Sequence, residues 1–141
     1  NEVNSYDSFC KVKNHSFLLQ VFKAFHDLIP SSHLVLIGVG ELLDDICHQA
    51  KLYGIYENIS FLGLQTDIYK YLQAVDAFVM PSLYEGFPLV VVEALAANNI
   101  CFLSENISKE TELIKNRVYF FDIEMDKKIQ YFVDNYYICE L

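Results

Sequence analysis

The sequence predicts an α/β fold in which a parallel sheet is covered by helices, and three observations carry that reading. Apolar spacing switches repeatedly between the helical period and short continuous runs. Glycine or proline closes several of these segments. No Pro/Gly/Ser linker, repeat or low-complexity stretch divides the 141 residues, a length that suits one domain. Alternation of this kind is the pattern of strands joined by helical crossovers.

The elements follow in order. Phe17, Leu18, Val21, Phe22, Phe25, Leu28 and Ile29 recur at helical spacing over 14–29, and Pro30 ends the run. His33 to Ile37 is a short apolar strand closed by Gly38. A helix carrying Leu42, Leu43, Ile46 and Ala50 comes next and stops at Gly54. The same unit repeats as a strand at 59–62, a helix at 67–74, a strand at 77–80 and a helix from 88. It repeats again as a strand at 100–103, a helix at 108–115, a strand at 118–121 and a last helix at 124–137. The expected layout is an irregular start at 1–8, a core at 9–121 and a helical tail at 122–141.

Composition narrows the function classes. With 53% hydrophobic and only 21% charged residues, the chain has the material for a packed core and is not intrinsically disordered. Its 19 acidic against 10 basic residues give a net charge of -9, which makes nucleic acid a poor partner. Cys10, Cys47, Cys101 and Cys139 are irregularly spaced with no zinc pattern, and read as buried reduced thiols of a cytoplasmic protein. The sequons at Asn14, Asn58 and Asn106 read as chance, because no signal peptide opens the sequence. Its apolar runs are broken by Asp76 or Glu93 before they reach membrane-spanning length.

Ligands of doubly wound sheets sit beyond the carboxyl ends of the strands, which directs attention to the loops at 38–41, 63–66, 81–87 and 104–108. The most informative of these is Pro81-Ser-Leu-Tyr-Glu-Gly-Phe-Pro88, which leads into Leu89-Val-Val-Val-Glu-Ala-Leu-Ala-Ala97. Pro88 suits a first helical turn, and Gly86 permits a tight turn or a close ligand approach. The amides of Gly86, Phe87 and Leu89 at a helix start would attract an anion such as a diphosphate. Glu93 is a lone carboxylate in a helix apolar on almost every face, so it is expected to be buried. It would then need either a structural lysine or ligand hydroxyls, since burying an unpartnered polar group costs about 2 to 7 kcal/mol.

Glu85 and Glu93, with seven residues between them in this loop and helix, resemble the signature of family 4 glycosyltransferases with the GT-B fold. The resemblance runs through Leu34-Val-Leu-Ile-Gly-Val-Gly40, Ile59-Ser-Phe-Leu-Gly63, Asp76-Ala-Phe-Val-Met-Pro-Ser82 and Cys101-Phe-Leu-Ser104, and covers about residues 9 to 121. It implies a Rossmann-like carboxy-terminal domain that binds a nucleotide-diphosphate sugar, with no cofactor and no metal. Glu93 would take the ribose hydroxyls, and Glu85 would be the catalytic-site carboxylate beside the donor sugar. Lys13, Gly38, Gly40, Gly63, Leu64, Ser82, Gly86, Phe87, Pro88 and Leu89 would complete the donor site, with Gly63 and Leu64 bordering the base.

Phe9, Lys13, Asn14 and His15 match the family's diphosphate-binding segment. Asp7 and Ser8 replace its Gly and Arg, which removes one of two expected cations. Upstream of Phe9 the residues are polar where the family has its first, central strand, so that strand is doubtful. The implied activity is that of a retaining hexosyltransferase acting on a saccharide or a lipid-linked acceptor, with any membrane contact made peripherally through that lipid, in polysaccharide biosynthesis. The chain reads as the donor-binding fragment of such an enzyme. The alternative is a non-catalytic nucleotide-binding or interaction subunit that pairs with a separately encoded amino-terminal domain. His15, His26, His33, His48, Asp44 and Asp45 read as structural, as do the aromatic clusters Tyr69, Tyr71 and Tyr131, Phe132, Tyr136, Tyr137.

Overall fold

In a computed structural model of the chain, residues 9–123 are described. The expectations for the irregular start at 1–8, the first strand and the last helix lie outside them, as do Cys139 and the aromatic cluster at 131–137. The chain divides after Gln65 into two compact units.

In the first unit Phe9, 1% exposed, enters the core and a 3-10 turn at Lys11–Lys13 leads into α1, His15–Leu28. Phe17, Leu18, Val21 and Phe22 form its buried stripe, as the spacing predicts, joined by Leu19, while Leu28, read as part of the same face, is 49% exposed. β1 (Leu34–Leu36) pairs in parallel with β2 (Ile59–Phe61), Leu34 opposite Ile59 and Leu36 opposite Phe61. Between them α2, Leu43–Leu52, buries Ile46 and Ala50, one helical turn apart, and carries Asp44 and Asp45 exposed in its first turn, where the helix dipole favours them. Gly54, at φ +70°, ends α2: its amide donates to the Lys51 carbonyl at 3.1 Å, and the Ile55 amide reaches back to Ala50 at 3.0 Å. That pair of bonds is a Schellman stop, which requires the left-handed residue.

In the second unit β3 (Ala77–Met80), β4 (Ile100–Ser104) and β5 (Val118–Phe121) form a parallel sheet with β4 in the middle. α3 is Tyr69–Ala74 and α4 is Leu89–Ala96. Leu72, Met80, Val91, Ala94, Leu95, Cys101, Leu103, Ile107 and Val118 make one core. α4 stops by the same device as α2, with Asn98 at φ 68° in place of glycine and bonds from Asn98 to Leu95 and from Asn99 to Ala94, both 3.0 Å. The buried Asn99 side chain donates to the Leu72 carbonyl at 2.7 Å and so ties the end of α3 to the end of α4.

One expectation needs correction. The helix at 108–115 is only a 3-10 turn, Lys109–Thr111, closed by the Thr111 hydroxyl donating to the Ser108 carbonyl at 2.7 Å. Leu113 and Ile114, within that span, are 56% and 46% exposed. The five strands of the described residues form two parallel sheets, of two and three strands.

Candidate functional site

The predicted donor-site residues fall into two groups, one in each unit; apart from Lys13, which precedes α1, they lie at or beyond the carboxyl ends of strands. In the first unit Gly38 is buried at φ 127°, and its amide donates to the carbonyl of Gly63 at 2.8 Å, joining the loops after β1 and β2. Gly63 sits at φ +64° in open surroundings, and Leu64 is exposed.

Gly40 has a different duty. A Cβ there would meet the Phe9 backbone nitrogen and oxygen at 2.7 Å, because Phe9 crosses directly over it. The Phe9 amide donates to Val39 at 3.3 Å, and the Leu42 amide donates back to the Phe9 carbonyl at 3.0 Å. Gly40 is therefore occupied by the protein's own chain.

Lys13 closes the 3-10 turn and is half-buried. Asn14 follows at φ 58°, and His15 opens α1 with its ring stacked on Phe9, centroids 4.4 Å apart. Burial, with the Lys13 ammonium nearby, pulls the His15 imidazole down to about 4, so it is neutral at physiological pH. Its Nδ1 is buried with no hydrogen-bond partner among the described residues. Reading His15 as a structural residue agrees with this packing.

In the second unit the loop from Ser82 to Leu89 leaves β3 and enters α4. Ser82 is fully buried, Glu85 half-buried, and Gly86, Phe87 and Leu89 are exposed. Pro88 stands one position earlier than expected, at the N-cap with ψ 119° instead of inside the first turn. Among the described residues no side chain caps this helix start, and no acidic residue occupies its first turn. Among the described residues the amides of Gly86, Phe87 and Leu89 donate to no backbone carbonyl. Gly86 has no positive φ, and a Cβ there would meet nothing within 4 Å. Neither conformation nor packing requires glycine at this position, and what the glycine leaves is open space beside unoccupied donors.

Glu93 is exposed, which overturns the expectation of a buried carboxylate. α4 is apolar nearly all round, but only Val91, Ala94 and Leu95 are buried; Leu89 is 69% exposed. The desolvation argument for a partner therefore does not apply to Glu93. What remains is position: Leu89 and Glu93 are four residues apart, on one solvent-facing side, which sets the carboxylate one turn behind the helix start.

Sequence reasoning passed over Ser104, fully buried at the end of β4, whose hydroxyl donates to the Ser82 carbonyl at 2.6 Å. A small polar residue ending an otherwise apolar strand, opposite a Pro-Ser strand exit, was the available signal. The first unit also carries an open depression of about 490 Å³ lined by Lys51, Gly54, Tyr56 and Glu57. It lies at the amino end of β2, away from the loops that follow the strands, and none of the predicted residues lines it. Among the described residues no group of three or more His, Cys, Asp or Glu could hold a metal ion, and no helix is long and apolar enough to cross a membrane.

Parallel sheets flanked by helices place this chain in the GT-B glycosyltransferase fold that its structural neighbours share. It belongs to the glycosyl transferases group 1 family, whose model matches residues 1–136. A relative from Escherichia coli, the UDP-Gal:alpha-D-GlcNAc-diphosphoundecaprenol alpha-1,3-galactosyltransferase, is 37% identical over 102 residues, 72% of this chain and 26% of the relative. Among solved structures, the pneumococcal O-GlcNAc transferase GtfA in complex with UDP and GlcNAc is similar with a TM-score of 0.79 and 14% identity, over 93% of this chain and 28% of that one. The C-terminal domain of a glycosyl transferase group 1 family protein, LpcC from Francisella tularensis, is similar with a TM-score of 0.76 and 22% identity, over 90% of this chain and 70% of that one. At these identities the two structures speak for the fold. The chain spans about a quarter of the length of curated relatives such as the Escherichia coli enzyme.

Proposed function

We propose that this chain is the donor-binding part of a retaining, family 4 hexosyltransferase that moves a sugar from a nucleotide-diphosphate sugar to a saccharide or lipid-linked acceptor in polysaccharide biosynthesis. The observation that carries the reading is the loop at 82–89. An uncapped helix start with unoccupied amides beside an open glycine suits a diphosphate, which supplies both acceptor oxygens and negative charge. A ribose bound next to that diphosphate would find Glu93 one turn along the same face, and the sugar on the other side would meet Glu85. The name of the Escherichia coli relative, with UDP-galactose as donor and a lipid diphosphate as acceptor, supports both substrate classes. The reading needs no metal and places the reaction in the cytoplasm, where the acceptor alone would bring the enzyme to a membrane. A separate amino-terminal domain would supply the acceptor side.

Calorimetry with UDP, GDP and ADP, and with their sugar conjugates, tests this. Glu93→Gln is expected to weaken sugar-free nucleotide by about fivefold, the size of one net hydrogen bond, while Glu85→Gln leaves it unchanged and removes only the gain due to the sugar. Equal loss of sugar-free nucleotide from both substitutions would overturn the division of roles.

A further inference from the structure

Met80 and Leu103 are the last regular pair between β3 and β4. Pro81 follows, and with no amide to donate it interrupts the ladder. The two segments nevertheless stay joined at two points further on. The Ser104 hydroxyl donates to the Ser82 carbonyl at 2.6 Å, and Glu85 pairs with Ile107 in an isolated parallel bridge. Residues 81–84 lie between Met80 and Glu85 on one side, while 104–106 lie between Leu103 and Ile107 on the other. The site-bearing segment thus holds one residue more than its partner, which bows it as a bulge does and re-aims the side chains beyond.

A bowed segment needs a tie, since a slip of one residue turns every following side chain to the opposite face. The β4 side of the tie is fixed. Ile107 is 1% exposed within the core, its amide donates to Ser104 at 3.0 Å, and the Glu105 amide donates to Phe121 of β5 at 2.8 Å. The Ser104 hydroxyl carries that rigidity across to Ser82, three residues before Glu85.

We propose that Ser104 is a positioning residue for Glu85: its hydrogen bond to the Ser82 carbonyl sets the register in which the Glu85 carboxylate faces the donor sugar. This rests on the reading of Glu85 as the sugar-facing carboxylate. Sugar-free nucleotide, held at the start of α4, does not depend on that register, and nucleotide sugar does.

The test uses the full chain with Ser104→Ala, Ser104→Cys, Ser104→Thr and Glu85→Gln. Calorimetry gives the ratio of affinities for UDP-galactose, UDP-glucose or UDP-N-acetylglucosamine against UDP. Ser104→Ala is expected to lower the sugar-to-UDP ratio by about fivefold with UDP affinity unchanged. Ser104→Thr, which keeps the donor, restores the ratio, and Ser104→Cys, a weak donor, falls between and serves where the alanine variant does not fold. If Glu85→Gln abolishes the ratio while the folded Ser104 variants keep it, Ser104 does not position Glu85. If wild type shows no ratio above one, or Glu85→Gln leaves it intact, Glu85 does not face a sugar, and both this inference and the reading beneath it fall.

Discussion

Gly40 and Gly86 both belong to loops that follow strands, neither has a positive φ, and they are glycine for opposite reasons. At Gly40 the space of the missing side chain is taken by the Phe9 backbone at 2.7 Å. At Gly86 that space is empty and lies beside amides that, among the described residues, donate to no backbone carbonyl. A glycine pressed by its own chain serves the fold; one that nothing presses has no work to do in the folded chain alone. The first unit therefore uses Gly40 internally and the second presents Gly86 outward.

The strongest way to break this comparison is Gly40→Ala. The obstructing atoms are backbone and cannot rotate away, so a loss of about 3 kcal/mol is expected in a denaturant melt, the upper end for overpacking. An effect below about 0.5 kcal/mol, the level of an ordinary surface change, would show that Phe9 does not seal the loop.

Acid should act on the same region. His15 is about 4 folded against 6.5 unfolded, so between those values the unfolded chain holds the proton more often, and stability falls as pH drops through 6.5 and levels off below about 4. Between pH 7 and 5 the loss is about 2 kcal/mol, and His15→Phe should flatten that limb of the stability profile. An unaltered limb in the variant would mean that the imidazole beside Phe9 is not kept neutral.

Gly86→Ala sharpens the other half. With no φ or packing demand the fold should gain about 0.5 kcal/mol through the unfolded chain, while nucleotide affinity drops about tenfold because the methyl fills the approach to the helix start. Thermal melting and calorimetry on one sample separate the two signs; unchanged affinity would leave Gly86 without its proposed use.

Much of this was legible because short apolar runs closed by glycine are strong local signals. β1, β2, β3, β4 and β5 fall within two residues of expectation, and Gly54 stops α2 as read. The reading failed where apolar residues are exposed. The helix read at 108–115 spans Leu113 and Ile114, which are exposed, and the apolar run around Glu93 suggested burial on a helix whose Leu89 side faces solvent. Periodicity reports which faces can be buried, and a surface kept for a ligand or another part of a protein looks the same in sequence as a core. Ser104 was missed for the converse reason: its partner is the Ser82 main chain, and a bond to a carbonyl leaves no trace in the partner's residue type. The glycines after β1 were found, yet the crossing of Phe9 that separates Gly40 from Gly38 is a tertiary event with no local signature.

Cys101 sits fully buried in β4, the middle strand of its sheet, and burial pushes its thiol up to about 11. At neutral pH only about one such thiol in ten thousand is ionised, and that one is shielded from reagents. With Cys10, Cys47 and Cys139 replaced, the chain thus carries an internal chemical clock. Alkylation of Cys101 proceeds only when the second sheet opens, so its rate set against that of an unfolded thiol gives the free energy of that opening, sampled at the strand that holds Ser104.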